Sequence, residues 1–201
     1  MALTTPVLAA GLRRITAHME TVADELNALD GQLGDGDLGI TMTRGGRALQ
    51  EILPTLPADV GMALMACAQA ITKVSGSSYG TLLATGLLAA AKATRGRTDV
   101  PWCETAALLR AALEAMKARG KASLGDKTVL DALNAAADAA DGETEPDKIL
   151  PAAASAVDAT LERMRAVQAK IGRARIFGER SVGLDDPGMR AFLELLRGLR
   201  A

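Results

Sequence analysis

Three aspartates, Asp30, Asp35 and Asp37, fall within eight residues of one another in the stretch LDGQLGDGDLGITM, among four glycines and no proline. Like charges so close repel unless a cation sits among them. Oxygen ligands alone suit a hard ion such as Mg2+, which keeps some of its waters and shares its remaining positions with substrate phosphates. Gly34, Gly36 and Gly39 let the backbone turn tightly enough for neighbouring side chains to converge. An isolated D-G-D run is also an ordinary N-capping turn, and no Glu stands where a calcium EF-hand needs one.

Three further loops have unusual chemistry. SGSSYGT, Ser75 to Thr81, is rich in hydroxyls and opens a predicted helix, where backbone N–H groups make a natural phosphate seat. It lacks the Lys and spacing of a P-loop, and Ser and Gly also mark plain helix starts. GDKTVLDAL, Gly125 to Leu133, reads as a helix start capped by Asp126. GRARIFGERSVGLDDPG, Gly172 to Gly188, sets Arg173, Arg175 and Arg180 in a glycine-punctuated stretch that ends at a helix with Pro187 in its first turn. Arginine neutralises phosphate charge, although loop arginines are also commonly just solvated. Metal ligands, a cradle and a charge stabiliser are together the parts that phosphoryl transfer needs.

The elements that must position these loops are helices. Hydrophobic residues make up 49% of the 201 residues but aromatics only 2%, so the core is built from Leu, Ala, Val, Ile and Met, which favours close-packed helices over a β sandwich. From Thr5 the apolar positions Leu8, Leu12, Ile15, Met19, Val22, Leu26 and Leu29 step by four and three, one face of a helix that Thr5 can cap and Pro6 can enter. The same pattern predicts helices near 38–52, 58–73, 80–95, 103–118, 127–140, 147–170 and 187–199, each ended by Gly or Pro. The expectation is all-α: about eight antiparallel amphipathic helices, no strand, and one domain over 1–201.

Basic and acidic residues, 23 and 24, are interspersed and give a net charge of −1, which leaves no footprint for nucleic acid. No apolar run reaches the length of a membrane span, and the N-terminus has no basic n-region, so the expectation is a cytoplasmic protein without membrane partners. Cys67 and Cys103 have no metal-site spacing and are expected to be small core hydrophobes. The one histidine, His18, lies on the first predicted helix, away from every motif, as a surface or edge residue.

The four loops, in this order and spacing, resemble the nucleotide-binding L subunit of dihydroxyacetone kinase, from about residue 5 to the C-terminus. The resemblance implies a barrel of eight helices holding ADP or ATP and two Mg2+ ions at one end. It implies that Asp30, Asp35 and Asp37 are the magnesium ligands and, with Arg173, the catalytic set. Leu38, Gly39, Ile40 and Thr41 would border the nucleotide, and Val74, Ser75, Gly76 and, more loosely, Thr81 its phosphates. Gly120 and Val129 would line its adenosine part, and Arg173, Asp186, Pro187 and Gly188 would form the closing segment. A separate K subunit would hold dihydroxyacetone, and in some systems a phosphohistidine phosphotransferase protein would recharge bound ADP. A homodimer is left open.

The sequence departs from the family pattern at Leu38 and Leu184, where the family has His, and at Thr41, where it has Asn. Thr41 can still donate a hydrogen bond, whereas the two leucines cannot. The leading reading is a kinase subunit that transfers the γ-phosphoryl group to dihydroxyacetone on its partner. The alternatives are a subunit for another small ketose and a nucleotide-sensing module without catalysis.

Overall fold

A computed structural model describes residues 2–200. Eight α-helices run in order: α1 Thr5–Leu33, α2 Leu38–Ile52, α3 Val60–Val74, α4 Ser78–Thr94, α5 Thr105–Gly120, α6 Val129–Ala139, α7 Pro146–Met164 and α8 Pro187–Arg200. Each packs on the next, and α8 returns to α1, which closes the ring into a barrel. The alternating up and down course places the connections 34–37, 75–77, 121–128 and 165–186 at one end and 53–59, 95–104 and 140–145 at the other.

Small residues let these helices approach closely. A Cβ on Gly39 would meet the carbonyl oxygen of Ala23 at 2.0 Å, and one on Gly61 that of Ala91 at 2.6 Å, so α2 lies against α1, and α3 against α4, at near backbone contact. The interior is aliphatic: Met19, Leu26 and Met42 pack between α1 and α2, and Val157, Leu161, Met189 and Leu193 between α7 and α8. Cys67 belongs to this core, and burial pushes its thiol up to about 11, which keeps it protonated. Among the described residues no helix is long and apolar enough to cross a membrane.

Several expectations need correction. Two short strands exist, β1 Ala2–Thr4 and β2 Asp99–Pro101, paired antiparallel with Leu3 opposite Val100. Three residues are too few to show the period-2 pattern of a strand. Thr4, not Thr5, is the N-cap of α1; Thr5 Oγ1 donates instead to Pro57 O at 2.8 Å and ties the helix to the far-end loop. The first helix runs on to Leu33, which puts Asp30 on its last turn. The seventh ends at Met164 rather than residue 170: Val167 N–H closes a tight turn onto Met164 O, and the Arg165 side chain reaches across to pair with Asp185. Thr128, not Asp126, caps α6, in a capping box with Asp131. Cys103 is exposed. His18 sits at the α1–α8 seam, with Nε2 2.8 Å from the buried Glu194 carboxylate.

Candidate functional site

The four connections that share one end of the barrel enclose a cavity of about 490 Å3. Its rim carries the aspartates. Asp30, on the last turn of α1, is held by two backbone amides: Gly36 N donates to Asp30 Oδ2 at 2.9 Å and Asp37 N at 3.1 Å. Gly36 adopts φ +75°, a left-handed turn that doubles the chain back onto Asp30 and brings Asp35 and Asp37 beside it. One carboxylate oxygen from each aspartate lies within 4.8 Å of the others. Asp30 is half-buried and the other two are exposed, and all three line the cavity.

Three carboxylates at that separation need positive charge, and one source is already present. Arg173, arriving from the α7–α8 connection, forms an ion pair with Asp35. The guanidinium occupies one carboxylate and leaves Asp30 and Asp37 without a cationic partner among the described residues. The donor set is oxygen only, so a hard divalent cation fits the residues present, and the position of Arg173 shows that the cluster accepts a cation.

The cavity beyond the aspartates suits an anion with an apolar body. The N-termini of α2, α4, α6 and α8 all open onto it through Leu38, Ser78, Val129 and Pro187. Their partial positive ends favour negative charge there. Ser77 caps α4, its Oγ accepting from Gly80 N at 3.0 Å, while Asp186 Oδ1 accepts from Met189 N at 2.8 Å at the start of α8. Leu82, Met116, Val129 and Leu130 form an apolar wall, with Arg119 at its edge.

Thirteen of the positions expected from sequence line this cavity: Asp30, Asp35, Asp37, Leu38, Thr41, Gly76, Thr81, Gly120, Val129, Arg173, Asp186, Pro187 and Gly188. Four do not. Gly39 is buried against α1. Ile40 is 42% exposed, its amide turned to Asn27 Oδ1 at 3.2 Å. Val74 is 41% exposed at the end of α3. The Ser75 hydroxyl folds back to within 3.1 Å of Ser77 Oγ, so that Ser77 and Ser78 line the cavity in its place. Sequence reasoning also missed Tyr79 and Arg119; the S-S-Y-G order at a helix start was the available signal for the first, and nothing local marks the second.

Leu38 and Leu184, where the resemblance implies histidine, both pack against apolar neighbours. Leu38 is 6% exposed and packs with Met19, Leu26 and Met42, while Leu184 packs on Leu33, Ala169 and Ala174.

Known proteins share this arrangement. Residues 32–201 match the family model of the DAK2 domain. The chain is 33% identical over 199 residues to the human triokinase/FMN cyclase, an alignment covering 96% of this chain and 34% of that protein. It is 29% identical over 193 residues to the ADP-binding subunit DhaL of the PEP-dependent dihydroxyacetone kinase of Escherichia coli (strain K12), covering 94% and 92%. With a corresponding DhaL subunit of Listeria innocua the identity is 31%, covering 88% and 85%. The crystal structure of the dihydroxyacetone kinase from C. freundii in complex with AMP-PNP and Mg2+ superposes with a TM-score of 0.76 at 27% identity, covering 99% of this chain and 34% of that one. The chain thus spans about a third of the triokinase and of the C. freundii kinase, and nearly all of the separate DhaL subunits. With the family model matched over residues 32–201, well over half of its length, this chain belongs to the DAK2 domain family.

Proposed function

We propose that this chain is the ADP- or ATP-binding subunit of a dihydroxyacetone kinase, and that it supplies the γ-phosphoryl group to dihydroxyacetone held by a partner K-type subunit. The observation that carries this reading is the convergence of Asp30, Asp35 and Asp37 within 4.8 Å at the mouth of a cavity entered by four helix N-termini. The relatives that match over most of their length are named as ADP-binding subunits of such kinases, and the superposed C. freundii kinase is described with AMP-PNP and Mg2+.

In this reading Asp30, Asp35 and Asp37 would hold Mg2+, two ions in number, beside the nucleotide phosphates. The metal would offset charge on the phosphates during transfer. The residues of this chain supply placement: the start of α4 at Ser77 and Ser78 donates to phosphate oxygens, and the wall of Leu82, Met116 and Val129 takes the adenosine part. Arg173, which lines the cavity and pairs with Asp35, adds positive charge there that would favour a phosphate. With all three aspartates engaged, the proton of the acceptor hydroxyl passes to a group on the partner. Recharging of bound ADP by a phosphoenolpyruvate-dependent phosphotransferase protein fits the names of the DhaL relatives.

The test is calorimetric titration of ADP into nucleotide-stripped protein, with Mg2+ and then with excess chelator. Binding that needs Mg2+, and that weakens at least about tenfold in Asp35→Asn with helical content unchanged, is the expected result, since a lost charged contact removes about 1.5–3 kcal/mol. Equal affinity with chelator, or in the variant, would remove the metal assignment.

A further inference from the structure

The segment that carries Arg173 is fastened at its base by Arg165, which pairs with Asp185 and accepts Gly183 N at 2.8 Å on its carbonyl oxygen, and, further in, by a buried cation. Residues 165–186 link α7 to α8, and Gly172, Arg173 and Ala174 within them line the cavity. Lys127 belongs to the turn before α6. It is 1% exposed, and its backbone sits at φ +63°, a left-handed conformation that side-chain-bearing residues rarely adopt.

The surrounding hydrogen bonds impose that conformation. Asp131 takes Gly125 N on Oδ1 at 2.6 Å and Thr128 N on Oδ2 at 2.9 Å, so one carboxylate fixes both ends of the turn. The turn points Lys127 inward, where Nζ donates to Val167 O at 2.9 Å and to Ser181 O at 2.7 Å. Those carbonyls are the two stems of the Arg173 segment. The Ser181 hydroxyl joins the stems a second time, accepting from Ala169 N at 2.9 Å and donating to Gly178 O at 2.6 Å. Lys170 N donates to Asp126 O at 3.2 Å, a third tie from the segment to the same turn.

Buried ammonium groups ordinarily pair with a carboxylate. Lys127 spends two of its three donors on backbone carbonyls that lie 14 residues apart in sequence, and its effect is to fix their separation. We propose that Lys127 is a positioning residue: it clamps both stems of residues 167–181 and thereby sets where Arg173 stands against Asp35. What Arg173 does there rests on the function proposed above. The clamp itself does not.

Amide hydrogen exchange tests the clamp directly. In the nucleotide-free parent protein the amides of Ala169 and Val182 are expected to be protected; free exchange at both would overturn the proposal. Lys127→Met keeps the aliphatic stem and removes the donors. The expected result is parental helical content, exchange at Ala169 and Val182 at least tenfold faster, and unchanged exchange in α3. Unchanged exchange at the two stems would overturn the clamp. If the variant does not fold, the exchange of the parent decides alone.

Coupling to the site is read from ADP affinity in Mg2+. Lys127→Met should raise the dissociation constant about tenfold, the size of a lost hydrogen bond to a charged group. If Lys127 acts through Arg173, the double variant with Arg173→Ala binds no more weakly than the weaker single variant, whereas independent losses would multiply and contradict the positioning role. Should the parent fail to bind ADP at all, the proposed function falls, and the exchange measurements still decide the clamp.

Discussion

Leu38 and Leu184 show how single residues alter the site without opening it. Both stand where the resemblance expects histidine, and both are packed into apolar surroundings, Leu38 on the cavity lining and Leu184 behind it on Leu33, Ala169 and Ala174. Asp186 and Tyr79 are among the polar residues that line the cavity. Burial pushes the Asp186 carboxyl up to about 7, against the pull of the Met189 and Gly188 amides and the Lys127 charge. Burial, and then the Asp186 charge, pushes the Tyr79 phenol up, and its hydroxyl is buried with no hydrogen-bond partner among the described residues. An unfolded aspartate titrates near ~4, so between about pH 4 and 7 the native chain binds the extra proton. Stability from this group is complete below the unfolded value and declines as pH rises toward 7, with a slope of up to about 1.4 kcal/mol per pH unit. Asp186→Asn keeps an acceptor for the Met189 amide and removes the titration. Its urea midpoint should fall less than that of the parent between pH 5 and 7, and parallel curves would assign the proton elsewhere.

At the scale of elements, what matters is how closely α1 and α2 approach beside the aspartates. Gly39 follows Asp37 by two residues and touches the Ala23 carbonyl, so a methyl group there must push the start of α2 outward. Gly61 makes the same kind of contact with Ala91, but at the opposite end of the barrel. Gly39→Ala and Gly61→Ala should each destabilise the fold by about 1–3 kcal/mol, the usual cost of overpacking. Only Gly39→Ala should also weaken Mg2+-dependent ADP binding. Equal binding losses in both would mean that the site responds to global stability rather than to the placement of α2. The contrast also shows what the sequence reveals. The aspartate cluster is legible because its ligands lie within one local turn, and the helices are legible because apolar period and Gly or Pro breaks agree. The course of the chain after Met164 and the three-residue strands were not, because each involves a distant partner: Asp185 and Lys127 for the first, the opposite strand for the second.

The whole molecule separates its two ends. Because the helices alternate and the ring closes through α8 on α1, every even-numbered helix starts at the cavity, while β1 and β2 and the turns near Pro57 and Trp102 seal the far end. Asp59, which accepts Gly96 N at 2.7 Å, ties the two far-end loops to each other, and Arg97, held by Glu104 through two hydrogen bonds of 2.7 Å, braces the second of them. A ligand that binds only the folded chain at the cavity stabilises it by mass action, about 2.7 kcal/mol at a hundred times its dissociation constant. At roughly 2–4 °C per kcal/mol for a chain of this size, ADP with Mg2+ should raise Tm by about 5–10 °C, and ADP with chelator by far less. Added amide protection should appear in 34–37, 75–77, 121–128 and 165–186 and leave 53–59 and 95–104 as they were. Protection gained equally at both ends would mean that the barrel tightens as one body on binding, and that the far-end ties transmit the ligand's hold instead of isolating it.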